Sequence, residues 1–134
     1  MTDHLGPGVR ILLVEDEPAN RALVRAIIAR TDRPELRRVV LHEAATIAEA
    51  RSVLASHPVD IVLVDVRLPD GNGLDLVTEL RAHPGADPAK IVIVSASVLP
   101  AERTTALATG ADAFLAKPFD PSDLVDLIVR LSGS

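Results

Sequence analysis

A chain of 134 residues is about one ordinary domain, and its 48% apolar content supplies a real core, which excludes a disordered segment. The net charge of −5 and the presence of only two aromatic residues, Phe114 and Phe119, argue against direct nucleic-acid binding, which needs a Lys/Arg excess and rings for base stacking. The absence of cysteine excludes disulfides and thiolate metal sites. No segment is apolar for long enough to serve as a signal peptide or a membrane span, so a cytoplasmic domain without membrane contact is expected.

Five short apolar runs alternate with five helical patterns between Val9 and Leu131, leaving an N-terminal tail at 1–8 and a C-terminal tail at 132–134. The run Val9–Val14 reads as a strand and ends in Glu15-Asp16-Glu17. Pro18 opens a helix to about Arg30, with Leu23, Ala26 and Ile27 at core spacing and Arg21, Arg25 and Arg30 outside. The stretch from Thr31 to Arg38 is a polar, basic connection. Val39–Leu41 begins a short second strand at a sheet edge. Thr46 and Glu49 form a capping box for a helix to about Ser56, buried through Ile47, Ala50, Val53 and Leu54. Ile61–Val64 is a strand apolar on both faces that runs straight into Asp65. A helix from Gly73 to Ala82 follows, with Leu76, Val77 and Leu80 inward, and His83-Pro84-Gly85 closes it. The fourth strand, Ile91–Val94, ends in Ser95-Ala96-Ser97. A weak helix from about Ala101 to Thr109 has Leu107 as its one large apolar residue and Gly110 as its cap. The fifth strand, Ala113–Ala116, ends in Lys117-Pro118. Asp120 is expected to cap a last helix carrying Leu124, Leu127, Ile128 and Leu131 on one face, with Val125 and Val129 one step off it.

Strict alternation of strand and helix, with strands hydrophobic throughout, calls for an α/β fold with a parallel sheet covered on both faces. Right-handed crossovers and the more continuously apolar first, third and fourth strands favour the order 2-1-3-4-5. All strand C-termini then share one edge, where ligands bind in such sheets. That edge collects Glu15 and Asp16, Asp65, Ser95 and Lys117. Like-charged carboxylates at 4 Å repel by about 4 kcal/mol at an effective dielectric near 20. A divalent cation with a preference for oxygen donors, such as Mg²⁺, relieves this. A carboxylate flanked by such a cation, an ammonium and a hydroxyl is suited to phosphoryl transfer, with Asp65 attacking in line to give an aspartyl phosphate.

These residues resemble the receiver domain of two-component response regulators. The resemblance rests on L-V-E-D-E around Glu15 and Asp16, L-V-D-V-R-L-P-D-G-N-G-L around Asp65, Ser95-Ala96, Phe114, and K-P-F from Lys117 to Phe119. Five motifs in this order cover the chain from about Val9 to Leu131. The resemblance implies a flavodoxin-like fold and a phosphorylation-controlled switch. Asp65 would be the phosphoacceptor, receiving its phosphoryl group from a histidine kinase or a histidine phosphotransfer domain. Asp16 and Asp65 would ligate Mg²⁺ (or Mn²⁺), Glu15 through water and Arg67 through its backbone carbonyl. Ser95, Lys117 and the backbone of Val66 and Ala96 would contact the phosphoryl group. Ser95 and Phe114 would form the switch, altering the surface of helix 4, strand 5 and helix 5 that a downstream protein or a second copy reads. A cis Lys117–Pro118 bond is also implied. Phe114 lacks a hydroxyl, so an inward ring would rest on packing alone. Arg67 and Ser97 border the path of attacking water, and the long Arg67 is expected to slow hydrolysis.

Plainer readings stand beside these. Glu15 and Asp16 alone would suit a helix N-terminus, as Glu17 does; Ser95 and Lys117 alone would be a turn residue and a solvated charge, and Phe114 plain core. His4, His42, His57 and His83 share no ligand spacing and belong at loops or element ends. Asp70-Gly71-Asn72-Gly73 lacks the spacing and bidentate Glu of a calcium loop, and is a turn and helix start. Arg30, Arg33, Arg37 and Arg38 read as a solvated face. A stand-alone regulator is the first expectation, and a receiver from a hybrid kinase or a longer regulator the second. An aspartyl phosphatase needs a second acid two residues after its nucleophile, where Arg67 stands, so enzyme activity on another substrate is not expected.

Overall fold

The computed structural model describes residues 8–83, 85, 88–96 and 99–133. Ser97, Pro84, His4 and all but the last residue of the expected N-terminal tail lie outside them, as does Ser134. Five parallel strands form the main sheet: β1 (Arg10–Val14), β2 (Val40–Ala44), β3 (Ile61–Asp65), β4 (Lys90–Ser95) and β5 (Ala113–Ala116). Their order is 2-1-3-4-5, as the alternation and apolar content predict. The helices are α1 (Pro18–Arg30), α2 (Ile47–Ser56), α3 (Gly73–Ala82), α4 (Pro100–Ala108) and α5 (Pro121–Ser132). A two-rung hairpin, Arg67–Leu68 with Gly71–Asn72, lies between β3 and α3.

The three central strands, β1, β3 and β4, are apolar along almost their whole length because both of their faces are covered, whereas the edge strand β2 carries His42 and Glu43 and is mostly half-buried. Side chains alternate along a strand. Ile11, Leu13, Ile61, Leu63, Val92 and Val94 therefore pack against α1 and α5, through Val24, Ile27, Leu124, Val125 and Ile128. Their neighbours Leu12, Val14, Val62, Val64, Ile91 and Ile93 pack against Ile47 and Ala50 of α2, Leu76 and Val77 of α3, and Ala106 of α4.

Several expectations shift by one helical step. Leu23 is 49% exposed, and Val24 takes the inward place beside Ile27. Ala106, not Leu107, is the buried residue of α4. Val125 is buried and widens the core face of α5. The connection after α1 is not merely polar: Pro34–Leu36 forms a 3-10 turn that buries Leu36. Its Arg33 pairs with Asp126 and Glu35, so this basic stretch is in part an ion-paired tie to α5. His42 lies within β2 rather than at an element end, and its ring stacks on that of His57 at 4.4 Å.

The caps show how the loops are held. Thr46 Oγ1 accepts the Glu49 N–H, and Glu49 returns a bond to the Ala45 N–H. Asp70 adds a cap from another element, accepting the N–H groups of Ile47 and Ala48 at the start of α2. Asn72 caps α3 through the Leu74 N–H. Asp120 occupies the N-cap position of α5 without a side-chain cap bond, its carbonyl accepting the Asp123 and Leu124 N–H groups instead. Far from the acidic edge, Arg81 donates to the carbonyls of Gly110 and Ala89 and to Asp112, whose carboxylate also accepts the N–H of fully buried Ile91.

Asp112→Ala leaves that Ile91 N–H without its partner and is expected to cost about 1–3 kcal/mol in urea unfolding. A loss below ~0.5 kcal/mol, the level of an indifferent surface change, would contradict this role. The N–H groups of Ile47 and Ala48 hold the Asp70 carboxyl below its ordinary 3.8. A lowered folded-state pKa contributes stability above the unfolded value, and that contribution is lost as pH falls through the folded one. Unfolding followed between pH ~5 and ~2 is therefore expected to show a shallower acid limb in Asp70→Ala than in the native chain.

Candidate functional site: an acidic cluster bridged by a lysine

The alternation that builds the core also sorts the residues at the strand ends. Asp65 ends β3 on the α1/α5 side, in step with Ile61 and Leu63. Glu15 follows Val14 and Lys117 follows Ala116, which turns both toward that same side. Lys117 Nζ donates to Glu15 Oε1 at 2.6 Å and to Asp65 Oδ2 at 2.8 Å. One ammonium thus joins the ends of three strands, and the Lys117 N–H ties in a fourth by donating to the Ser95 carbonyl. The Lys117–Pro118 peptide is cis, as the resemblance implies.

Glu15 is 3% exposed. A buried carboxylate needs charge and hydrogen bonds to offset its lost hydration. Lys117 supplies the charge, and the Glu17 N–H donates to Glu15 Oε2. Burial works against the Lys117 ammonium, but hydrogen bonds and attraction from Asp65 and Glu15 outweigh it and raise the pKa above its ordinary 10.5. Lys117 is therefore charged across the physiological range.

Asp16 completes the cluster, with oxygens of Glu15, Asp16 and Asp65 all within 4.8 Å of one another. Like charges at that separation repel by about 3 kcal/mol at an effective dielectric near 20. Three carboxylates against one ammonium leave two negative charges in excess. Among the described residues, no hydrogen-bond donor reaches the Asp16 carboxylate. The oxygen donors and the charge deficit both fit a hard divalent cation.

Arg21, placed outside by its helical position, in fact donates to the backbone carbonyls of Glu15 and Asp16 and pairs with Glu43. Nothing in local sequence spacing links Arg21 to that loop; the contact exists because α1 folds back over the end of β1. Gly73 has a comparable role. A Cβ there would run into the Asp65 carbonyl oxygen, and the Gly73 N–H donates to the Val66 carbonyl at 2.7 Å, so α3 starts against the backbone of the acid.

Ser95 ends β4 on the α3/α4 side and is 6% exposed. Phe114 pairs in register with Ile93 and stands on that side too, half-buried against its core. Ser95 and Phe114 line one cleft of about 560 Å³, with Val66, Leu68, Leu74 and Ala106 among its walls. Arg67 is exposed at the mouth of the acidic site, where it lines one opening with Asp16, Asp65, Ser95, Ala96 and Lys117. Its backbone N–H donates to Asp65 Oδ1 at 3.2 Å. The structure thus brings together Glu15, Asp16, Asp65 and Lys117, places Ser95, Ala96 and Arg67 at their rim, and sets Phe114 across the sheet.

The sequence pattern of the response regulator receiver domain matches residues 11–129. The chain is 35% identical over 119 residues to the response regulator protein PilR of Pseudomonas aeruginosa, covering 89% of this chain and 25% of that protein. It is 35% identical over 122 residues to the photosynthetic apparatus regulatory protein RegA of Rhodovulum sulfidophilum, covering 90% of this chain and 62% of that protein. The chain therefore spans only a quarter to three-fifths of these relatives. Among solved structures, the receiver domain of a sensor histidine kinase from Pseudomonas aeruginosa PAO1, with a magnesium ion coordinated in its active-site cleft, superposes with a TM-score of 0.81 at 29% identity. That alignment covers 95% of this chain and 99% of the other. Fold, strand-end residues and a sequence match over almost the whole domain agree: this chain belongs to the response regulator receiver domains.

Proposed function

We propose that Asp65 accepts a phosphoryl group from a phosphohistidine, and that this modification is the signal the domain transmits. The observation that carries this reading is the position of Asp65 between one lysine and two further carboxylates at the carboxyl edge of the sheet. The domain runs from Val9 to Leu131 and works in the cytoplasm; the described residues contain no helix long and apolar enough to cross a membrane. Its phosphodonor is a histidine kinase or histidine phosphotransfer domain, and its reader is a downstream protein or a second copy meeting α4, β5 and α5.

Asp16 and Asp65 would ligate Mg²⁺ directly, Glu15 through water and Arg67 through its carbonyl; Mn²⁺ presents the same preference for oxygen. When bound, the cation supplies charge neutralisation at the carboxylates and the transferred phosphoryl oxygens. The chain supplies the rest. An Asp65 carboxylate oxygen attacks phosphorus, an O–P bond forms as the N–P bond to the donor imidazole breaks, and that imidazole leaves with the bonding electron pair. Lys117, already on Oδ2 of Asp65, is placed to follow the charge onto the phosphoryl oxygens. The Ser95 hydroxyl and the N–H groups of Val66 and Ala96 complete the cradle. Movement of Ser95 toward the phosphoryl group would open the cleft beside Phe114 and let the ring turn inward. Because α4 buries only Ala106 among its residues, it is the element that such a turn displaces at least cost.

Incubation with Mg²⁺ and acetyl phosphate, followed by intact mass, is expected to show one phosphoryl adduct in the native chain and none in Asp65→Asn. An adduct that persists in Asp65→Asn would remove Asp65 as the acceptor. Asp16→Asn is expected to weaken Mg²⁺ binding by roughly tenfold or more in a direct titration, with the fold intact. Arg67→Ala is expected to shorten the phosphate lifetime in a single-turnover decay, because the exposed side chain no longer screens the mouth of the site. An unchanged decay rate would leave Arg67 without that role.

A further inference from the structure

The Phe114 ring is held from outside the sheet as well as by it. The guanidinium of Arg103, on the exposed face of α4, stands over the ring with its central carbon 5.2 Å from the ring centroid. Within this range a cation is attracted to the face of an aromatic ring. Among the described residues no carboxylate pairs with Arg103, so the ring is its principal partner. The ring also borders the cleft of about 560 Å³ that it shares with Ser95, walled by Val66, Leu68, Leu74 and Ala106. The cleft offers the ring apolar burial, and the guanidinium offers it an electrostatic contact. Ala106 is the one buried residue of α4, and the contact of Arg103 with Phe114 adds a tie between that helix and β5.

We propose that Arg103 is a latch on the receiver switch: its contact with Phe114 holds the ring and α4 in the resting arrangement and thereby lowers the affinity of the distant acidic site for a phosphoryl group. The proposal rests on the reading of Asp65 as phosphoacceptor and of Phe114 as the ring that follows it. The coupling is reciprocal by necessity. A contact present only in the resting state disfavours a ligand of the other state by the factor that the contact contributes. For an exposed cation–aromatic pair that factor is about two- to fivefold.

Phe114 and Phe119 are the only phenylalanines in the chain, so labelling with 4-fluorophenylalanine gives two ¹⁹F resonances, assigned with Phe119→Leu. The native chain, Arg103→Met and Arg103→Lys are compared with Mg²⁺ present, before and during titration with beryllofluoride. Arg103→Met, which keeps the stem and loses the charge, is expected to move the free-state Phe114 resonance toward its beryllofluoride-bound position. It is also expected to lower the half-saturating beryllofluoride concentration about two- to fivefold. Arg103→Lys is expected to stay near the native values, and the Phe119 resonance to stay fixed in both. A native value of either quantity in Arg103→Met would overturn the latch, as would equal shifts in Arg103→Met and Arg103→Lys. A native chain that takes up no beryllofluoride would instead remove the phosphoacceptor reading. The free-state Phe114 resonance needs no ligand and decides the latch separately: displaced in Arg103→Met alone it supports the contact, and unmoved it refutes it.

Discussion

Everything at the acidic edge depends on one ammonium shared by two carboxylates. Without Lys117, Glu15 would be a buried anion facing another anion within 4.8 Å, a combination the fold could relieve only by protonation or by opening. With it, the ends of β1, β3 and β5 are drawn to one point, and the excess of negative charge is left at Asp16 and Asp65, where the solvent enters. The sheet supplies the rigidity that makes this tolerable. Three strands buried on both faces, β1, β3 and β4, fix the backbone at this edge, so the repulsion between Glu15 and Asp65 cannot be relaxed by drifting apart.

Much of this was legible in the sequence, because it follows from periodicity and from where apolar runs stop. The strand order, the run from Ile61 into Asp65, and the convergence of Glu15, Asp65 and Lys117 all follow from strict alternation and a parallel sheet. What escaped were contacts between elements far apart in the chain. Arg21 sits on the polar side of α1 by pattern, and only the fold brings it to the carbonyls of Glu15 and Asp16. Asp70 caps a helix that begins 23 residues before it, whereas local reading made it part of a turn. Leu23 and Val24 are adjacent apolar residues, and periodicity alone does not choose which of them faces a core whose width depends on α5. Asp120 has a capping side chain by type, but the backbone carbonyl does that work. These are cases of tertiary geometry overriding local preference, and they cluster at helix ends and helix edges, where two solutions differ by little.

The relatives show that such a domain is joined to other segments in longer proteins, and the chain spans only part of them. The physical features described here belong to the receiver itself. The acidic cluster, the hairpin and Gly73 form one block around Asp65, while α4 stands apart with a single buried residue. The firmly packed part of the fold thus holds the acidic cluster, and α4 is held by a single buried residue.

The period-two alternation has a consequence beyond packing. It divides the residues at the carboxyl edge between two compartments: Glu15, Asp65 and Lys117 toward α1 and α5, Ser95 and Phe114 toward α3 and α4. The sheet is a partition through which no side chain passes. Information can cross it only at its rim, where Ser95 on β4 neighbours Asp65 on β3 through the pairing of Asp65 with Val94. If Asp65 is the phosphoacceptor, as proposed, changes in one compartment would tune the speed of the chemistry and changes in the other its audience, provided that single doorway at the end of β4 is kept.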